Sequence, residues 1–259
     1  RLGKSDLHVS TLGLGCWQFG SSEGSYWGAQ DQQDVNEVVA RALDAGINFF
    51  DTAEMYNEGQ SEVSLGIALR GKRHQAVIGS KILPAHMHPS VIEARCDASL
   101  KRLGTDYIDL YMVHWPIQSH AYEGEAPDLQ EAFHALDRLR QAGKIRHIGI
   151  SNHGIRQMRE VEDTGVEVAA NELAYNLFSR AIEAEILPYC VERQIGVIGY
   201  IPLMQGLLTG KYRSLDEIRP ILARSRHFHH SRGLGSRHGE DGAEAEMEQA
   251  LKELRQISE

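Results

Sequence analysis

Ile47-Asn48-Phe49-Phe50-Asp51-Thr52-Ala53-Glu54-Met55-Tyr56-Asn57-Glu58-Gly59 decides how the rest of the chain is read. The stretch opens as an apolar strand, Ile47-Asn48-Phe49-Phe50, and ends that strand on a carboxylate, Asp51. A phenol, Tyr56, sits in the loop that follows, and a new helix begins near Ser61. An acid at a strand end with a tyrosine just beyond it makes a site when other strands deliver partners to the same rim.

Outward from this stretch the same rhythm repeats. Upstream, Gln32–Ala45 carries Val35, Val38, Val39, Ala42 and Leu43 on one helical face and stops at Gly46. Before it lies a Gly-rich strand, Thr11–Trp17, and a polar turn within residues 1–10 that is expected to form a small hairpin. Downstream, helix Ser61–Arg70 leads to strand Ala76–Lys81, and helix Ser90–Leu103 to strand Tyr107–His114. Pro89 as first helical residue and a Ser90/Glu93 capping box are both open for the start of that second helix. Helix Asp128–Gln141 precedes strand Ile145–Ser151, and helix Ile155–Thr164 precedes strand Val166–Asn171. Helix Ile182–Arg193 precedes strand Gly196–Tyr200.

Seven strands alternating with helices imply a parallel sheet with right-handed crossovers, and units of such even size favour a (β/α)8 TIM barrel over a doubly wound sheet. A doubly wound sheet usually opens its first helix with Gly-x-Gly-x-x-Gly, whereas Gly13-x-Gly15 lies inside a strand. After Pro202 the rhythm breaks. Residues 203–242 read as a long loop, a last amphipathic helix spans Ala243–Ile257, and the eighth strand is missing. Seven of eight strands would leave two edges exposed, so the expectation is one barrel domain over 1–259 with a truncated C-terminal unit.

Composition bounds the chemistry. A net charge of −9 argues against a nucleic-acid surface. No run approaches the about 18 apolar residues of a membrane span. Cys16, Cys96 and Cys190 are odd in number and far apart, which favours free thiols in a reducing, cytoplasmic setting.

Active sites of such barrels lie at the carboxyl ends of the strands. Asp51 ends the second strand with Tyr56 in its loop, Lys81 ends the third and His114 the fourth. A free phenol with pKa about 10 is a poor acid at neutral pH. A nearby ammonium lowers that value, a carboxylate keeps the ammonium charged, and a histidine orients a substrate oxygen. The set makes a proton donor for a carbonyl oxygen. With no Cys or Ser nucleophile paired to these ends, hydride from a nicotinamide is the fitting attacker. Each residue has a plainer reading too: Asp51 as a cap, Tyr56 as a packed loop side chain, Lys81 as a surface charge or a Schiff-base lysine, His114 as a structural histidine. Their joint placement at adjacent strand ends is what favours the site.

The strings Gly46-Ile-Asn-Phe-Phe-Asp-Thr-Ala-Glu-Met-Tyr56, Leu103-Gly-Thr-Asp-Tyr-Ile-Asp-Leu-Tyr-Met-Val-His-Trp-Pro116 and Gly143-Lys-Ile-Arg-His-Ile-Gly-Ile-Ser-Asn152, with Tyr200–Tyr212, resemble the aldo-keto reductases over nearly all of residues 1–212. The resemblance implies an NAD(P)H-dependent oxidoreductase that reduces aldehydes or ketones to alcohols. Tyr56 would be the general acid, Lys81 would lower its pKa, Asp51 would pair with Lys81, and His114 would orient the carbonyl. It further implies that Ser151, Asn152 and Glu172 hold the nicotinamide carboxamide, that Tyr200 stacks on the ring, and that Leu203, Gly206 and Leu208 lie over the pyrophosphate. Trp17 matches a substrate- or cofactor-side position, while Tyr26 and Trp27 shape the pocket or anchor their loop.

Two departures stand out. Glu172 occupies a place where the family usually has Gln, and an ionised acid accepts hydrogen bonds without donating. The family's basic segment for the adenosine 2′-phosphate has no counterpart, so NADPH is implied by the family alone and NADH stays possible. A nicotinamide-sensing regulatory subunit with little turnover and a Schiff-base lyase through Lys81 are the alternatives. His227, His229, His230 and His238 match no closed zinc spacing, and no metal is expected. The neighbouring Arg224, Arg226, Arg232 and Arg237 fit better as an anion-attracting flap. The partner expected is a small carbonyl substrate, whose identity rests on loop shape; nothing in the sequence fixes an oligomeric state.

Overall fold

The structure, a computed structural model, describes residues 1–23, 25–117, 126–236 and 238–258. Its strands are β1 (Gly13–Gly15), β2 (Phe49–Asp51), β3 (Val77–Ile82), β4 (Ile108–Val113), β5 (Ile145–Ser151), β6 (Ala170–Ala174) and β7 (Gly196–Tyr200). They form a seven-stranded sheet in sequence order. Each is followed by a helix: α1 (Gln32–Asp44), α2 (Gln60–Ala68), α3 (Pro89–Leu103), α4 (Leu129–Gln141), α5 (Ile155–Glu162), α6 (Ile186–Arg193) and α7 (Glu244–Ser258). The ladders from β1 to β6 are parallel. Sequential parallel strands with a helix after each is the arrangement of a (β/α)8 barrel. No eighth strand follows β7 among the described residues.

Alternation along the strands sorts side chains into two cores. Phe50, Ile78, Tyr111, Ile148 and Ile150 join Val35, Val39, Leu65, Ile92, Phe133 and Met158 in the core shared with the helices. Phe49, Leu110, Met112 and Ala170 form the second, inner core, with Leu2 and Leu7 of the N-terminal segment. Two glycines make room there. A Cβ on Gly79 would stand 3.1 Å from the Phe49 ring, and one on Gly149 would stand 2.6 Å from Met112 Cγ. The next inward positions along the same strands are Asp51, Lys81, Ser151 and Glu172, so the inner core ends in a polar layer at the carboxyl rim.

Local chemistry fixes the helix ends. Asp31 caps α1 by accepting from Gln33 N–H, and Asp128 caps α4 by accepting from Glu131 N–H. Helix α3 starts on Pro89, resolving the two sequence readings in favour of proline in the first turn, and ends at Gly104 with φ of 63°.

Four expectations need correction. Residues 1–10 form a turn and no β-ladder; one bond, Leu2 N–H to Leu7 O at 2.9 Å, closes it. The hairpin fails because this segment spends its polar groups on neighbours. Lys4 N–H donates to Gln194 O, Ser10 N–H to Asn48 Oδ1, and Asn48 Nδ2 donates to His8 O. Strand β6 runs Ala170–Ala174, where the sequence suggested Val166–Asn171. The apolar run before it is buried, but the ladder begins where Asn171 and Glu172 face Ile150 and Ser151. Helix α6 starts at Ile186, because Ala181–Glu183 forms a separate 3-10 turn and Glu185 caps the helix with non-helical angles. Finally, the loop read at 203–242 contains 3-10 turns at Met204–Thr209, Leu215–Glu217 and Pro220–Leu222.

The chain gathers into two compact units. One comprises Arg1–Leu173 with Ile182–Ile198, and the other Ala174–Ala181 with Gly199–Glu259. Within the second unit Leu207, Leu215, Leu222, Phe228, Met247 and Leu251 are buried. No described helix is long and apolar enough to cross a membrane.

Candidate active site

The first unit brings Asp51, Tyr56, Lys81, His114, Ser151, Asn152, Glu172 and Trp17 together. Lys81, at 0% exposure, is the centre. Its ammonium donates to Asp51 Oδ1, to the main-chain oxygen of Thr52 at 3.1 Å, and to the Tyr56 hydroxyl at 3.3 Å. Glu172 Oε2 lies 3.3 Å from the same nitrogen, yet makes no hydrogen bond. A lysine has three N–H donors, and all are already directed elsewhere.

The loop that presents Tyr56 is tied down on both sides. Asn57 takes the left-handed conformation, φ 49°, and its amide donates to Trp17 O at 2.7 Å and Phe19 O at 2.9 Å. Glu54, buried, accepts from Leu83 N–H, Arg95 and the His86 ring. Thr52 and Ser61 share a hydroxyl contact, and Ser61 donates to Cys16 O. Neither Asn57 nor Glu54 was singled out from sequence; the signal was the run of polar residues following Asp51, since Asn adopts φ above zero more readily than most residues.

Aromatic rings wall the phenol. Trp17 stacks on Tyr56 at 5.7 Å, and His114 meets the Tyr56 ring edge-on at 5.6 Å. Tyr26 stacks on Trp17 at 5.2 Å and Trp27 abuts it at 5.3 Å, which places both of those side chains at the site's edge. Trp115, which sequence reasoning passed over, lies face to face with His114 at 4.0 Å and is 41% exposed.

Electrostatics follow from burial. Burial is the largest influence on Lys81 and lowers its pKa, but Asp51, Glu172 and Tyr56 together outweigh it and hold the value above the ordinary one. A lysine held as ammonium is no nucleophile, which disfavours the Schiff-base alternative. Tyr56 also sits above its ordinary value, raised by burial first; Lys81 pulls it down, while Asp51 and Glu172 push it up. Lys81 thus acts on Tyr56 in the expected direction, and burial acts against it more strongly. His114 is pulled down to about 2 by burial and the Lys81 charge, so its ring is neutral, and its Nδ1 has no hydrogen-bond partner. Burial and the adjacent Asp51 push Glu172 up to about 8 against the pull of Lys81.

Ser151 donates to Glu172 O at 3.0 Å, and Asn152, at φ 62°, donates to His114 O at 3.1 Å. Tyr200, Leu203, Gly206 and Leu208 belong to the second unit. There Tyr200 O accepts from Tyr175 N–H, and Leu203 O accepts from the N–H groups of Gly206 and Leu208. Gly206 has φ of 98°, a conformation that suits glycine. In the same unit Arg226 pairs with Glu240, and Arg232 with Asp216 and Glu244. Arg237 lies outside the described residues. His229, His230 and Asp241 gather ligand atoms within 4.8 Å of one another. His229 Nδ1 already accepts from Ser231 N–H, however, and Asp241 is fully out in solvent. A hollow of about 650 Å³ lies at the other, amino-terminal end of the first unit's strands. Its Lys4 and His147 are paired with Glu167 and Asp6.

A buried Asp–Lys–Tyr chain with a neutral histidine beside it, at the carboxyl rim of a parallel barrel, defines a class of enzymes by its geometry, and comparison with known proteins agrees. The sequence model of the aldo/keto reductase family matches residues 11–259, and the chain belongs to that family. It is 39% identical over 218 residues to aldo-keto reductase YhdN of Bacillus subtilis (strain 168), covering 79% of this chain and 62% of that relative. It is 37% identical over 229 residues to the NADH-specific methylglyoxal reductase of Escherichia coli (strain K12), covering 81% of this chain and 68% of the relative. Among solved structures, an aldo/keto reductase from Klebsiella pneumoniae in complex with NADP and acetate aligns with a TM-score of 0.68 and 34% identity. That alignment covers 82% of this chain and 71% of the other. The chain thus spans a little under two thirds of the first of these relatives.

Proposed function

We propose that the protein is an NAD(P)H-dependent carbonyl reductase in which Tyr56 donates the proton to the substrate oxygen. The observation that carries this reading is the placement of the Lys81 ammonium between the Asp51 carboxylate and the Tyr56 hydroxyl. Tyr56 keeps its proton throughout the physiological range, so the donor form is always present. When the phenol gives that proton up, the nascent phenolate faces an ammonium that is already charged and already aimed, with no reorganisation at the moment of transfer. Neutral His114 hydrogen-bonds the carbonyl oxygen and fixes its direction. The aromatic wall of Trp17, Trp27 and Trp115 suits a substrate with an apolar or planar body, and small aldehydes or dicarbonyls are the class favoured by the methylglyoxal-reducing relative.

A bound nicotinamide nucleotide supplies the hydride. The groups of this chain fit it: Glu172 Oε2 is a buried acceptor without a hydrogen-bond partner, beside Ser151 and Asn152. In this reading those three hold the carboxamide. NADPH is the first choice and NADH the second, since relatives of both kinds are known. Three buried, unpaired cysteines support a reducing, cytoplasmic setting.

The test is direct. The purified chain, mixed with NADPH or NADH and a small dicarbonyl, oxidises the nicotinamide in step with the appearance of the hydroxy product. A chain that binds neither nucleotide, or binds and transfers nothing to any aldehyde or ketone, contradicts the reading.

A further inference from the structure

Glu172 is the residue at this site that the Asp–Lys–Tyr chain does not use. It rests on the same buried layer, 3% exposed, with Oε2 at 3.3 Å from Lys81 Nζ and no hydrogen bond to it. Asp51 accepts from the same ammonium, so two carboxyl groups meet around one Lys81 nitrogen. Two carboxylates crowded this way in a buried layer repel each other unless one carries a proton. One lysine meanwhile supplies one positive charge, and its three N–H groups go to Asp51, Thr52 O and Tyr56.

We propose that Asp51 and Glu172 share a single proton beside Lys81, and that this proton makes Glu172 a positioning residue for the acidity of Tyr56. With the proton in place, the pair carries one negative charge, which Lys81 balances. When it leaves, the cluster carries a net negative charge, and the phenolate of Tyr56 becomes harder to form. The ionisable groups around the pair are Cys16 beside β1, Asp51 on β2, Tyr56 in its loop, Lys81 on β3, His114 after β4, and His153 after β5. Of these, His114 and His153 are held neutral and the Cys16 thiol is raised well above its usual value by burial. Among them Glu172, which burial and the adjacent Asp51 push up to about 8, is the one that changes charge near neutral pH. Like charges a few ångströms apart in a buried site titrate this way, one proton held between two acids. A glutamine, the usual family residue, has the same shape and no proton to lose.

The inference rests on the proton-donor reading of Tyr56, and its first test does not depend on turnover. Infrared difference spectra of the intact chain, wild type minus Glu172→Gln, are followed as a function of pH. The expected result is the carbonyl stretch of a protonated carboxylic acid at neutral pH, lost around pH 8. In Asp51→Asn, Glu172 becomes the counter-ion of Lys81, and that band vanishes at neutral pH. No such band at neutral pH in the wild type overturns the shared proton, as does a band that survives unchanged in Asp51→Asn. The second readout is the pH profile of carbonyl reduction. The wild-type rate drops by about tenfold across the same ionisation, the equivalent of one pKa unit on Tyr56, and Glu172→Gln loses this step. A step that persists in the glutamine variant overturns the link to Tyr56. A chain without turnover overturns the catalytic reading, and the infrared titration still upholds or overturns the shared proton by itself.

Discussion

The ammonium of Lys81 reaches the hydroxyl of Tyr56 at 3.3 Å only after it has satisfied Asp51 and the Thr52 carbonyl. The phenol therefore faces a charge that is fixed in place from behind by β2 and β3. This order of attachment ties the stability of the barrel rim to the chemistry proposed there.

Removing the charge exposes that link. In Lys81→Met, Asp51 and Glu172 are left buried without a counter-ion. Breaking one partner out of a buried ion cluster costs about 3–5 kcal/mol. Urea unfolding at pH 7.5 measures the loss. Adding Asp51→Asn to Lys81→Met is expected to restore most of it, because the remaining acid then holds its proton without a charged neighbour. A Lys81→Met chain as stable as wild type contradicts the buried cluster.

The pH dependence of stability has a definite sign. His153 falls to about 4 and His114 to about 2 in the folded chain, both below the ordinary histidine value of 6.5. Their contribution is present above pH 6.5 and is lost as pH falls toward those folded values, because the unfolded chain takes up the protons first. Glu172 acts in the opposite sense. Its folded value lies above the ordinary 4.5, so its contribution is full below pH 4.5 and is lost as pH rises toward about 8. Near pH 5 the two histidines outnumber the one acid and the unfolded chain binds about one proton more, an excess that shrinks to nearly nothing by about pH 6.5 as the unfolded histidines lose their protons. Near pH 5 stability from these groups therefore falls by about 1.4 kcal/mol per pH unit on acidification, and roughly twice as steeply in Glu172→Gln. Unfolding free energies of both chains across that window check the difference in slope. Equal slopes contradict it.

Packing between α2 and α3 offers a test of the fold alone. A Cβ on Gly66 would stand 2.4 Å from the Leu103 carbonyl oxygen, a backbone atom that cannot swing aside. Gly66→Ala is expected to destabilise by about 1–3 kcal/mol and to lower the melting temperature, without touching the strand ends. A neutral effect would mean that the two helices are further apart.

Much of this architecture was readable in advance for a simple reason. Helices such as α1 and α4 announce themselves through a 3.6-residue apolar period and an Asp cap, and both local signals survive folding unchanged. Asp51, Lys81 and His114 were legible because a strand's carboxyl end is a position that the period-two pattern fixes, and Tyr56 because it follows Asp51 in the same loop. What escaped was set by partners distant in sequence. The N-terminal hairpin dissolved because Gln194 and Asn48 claim its hydrogen bonds. The start of β6 depends on where Ser151 of the neighbouring strand stands, and with it the burial of Glu172. Trp115 was not singled out, and its stacking on His114 depends on how the chain bends at residues 114–115 after β4. The net rise in the Tyr56 pKa could not be read from Lys81 alone, since burial has no sequence signature of its own.

Substrate preference should respond to the aromatic wall. Replacing Trp115 with Ala removes the face-to-face partner of His114 at 4.0 Å. Aromatic contacts of this kind are worth about 0.5–1.5 kcal/mol, so KM for an aromatic aldehyde is expected to rise roughly two- to tenfold with a smaller change for a two- or three-carbon aldehyde. Steady-state comparison of the two substrates checks it, and an equal effect on both rules out a substrate-facing role for Trp115.

The claim on which the account turns is that Tyr56 supplies the proton. Tyr56→Phe removes one oxygen atom and leaves the ring between Trp17 and His114. The measurement is the rate of nicotinamide oxidation with a small aldehyde, taken alongside nucleotide affinity by fluorescence. The rate is expected to fall by about 10²–10⁴-fold while nucleotide affinity stays within about twofold. A phenylalanine variant that reduces the aldehyde at the wild-type rate would contradict it outright.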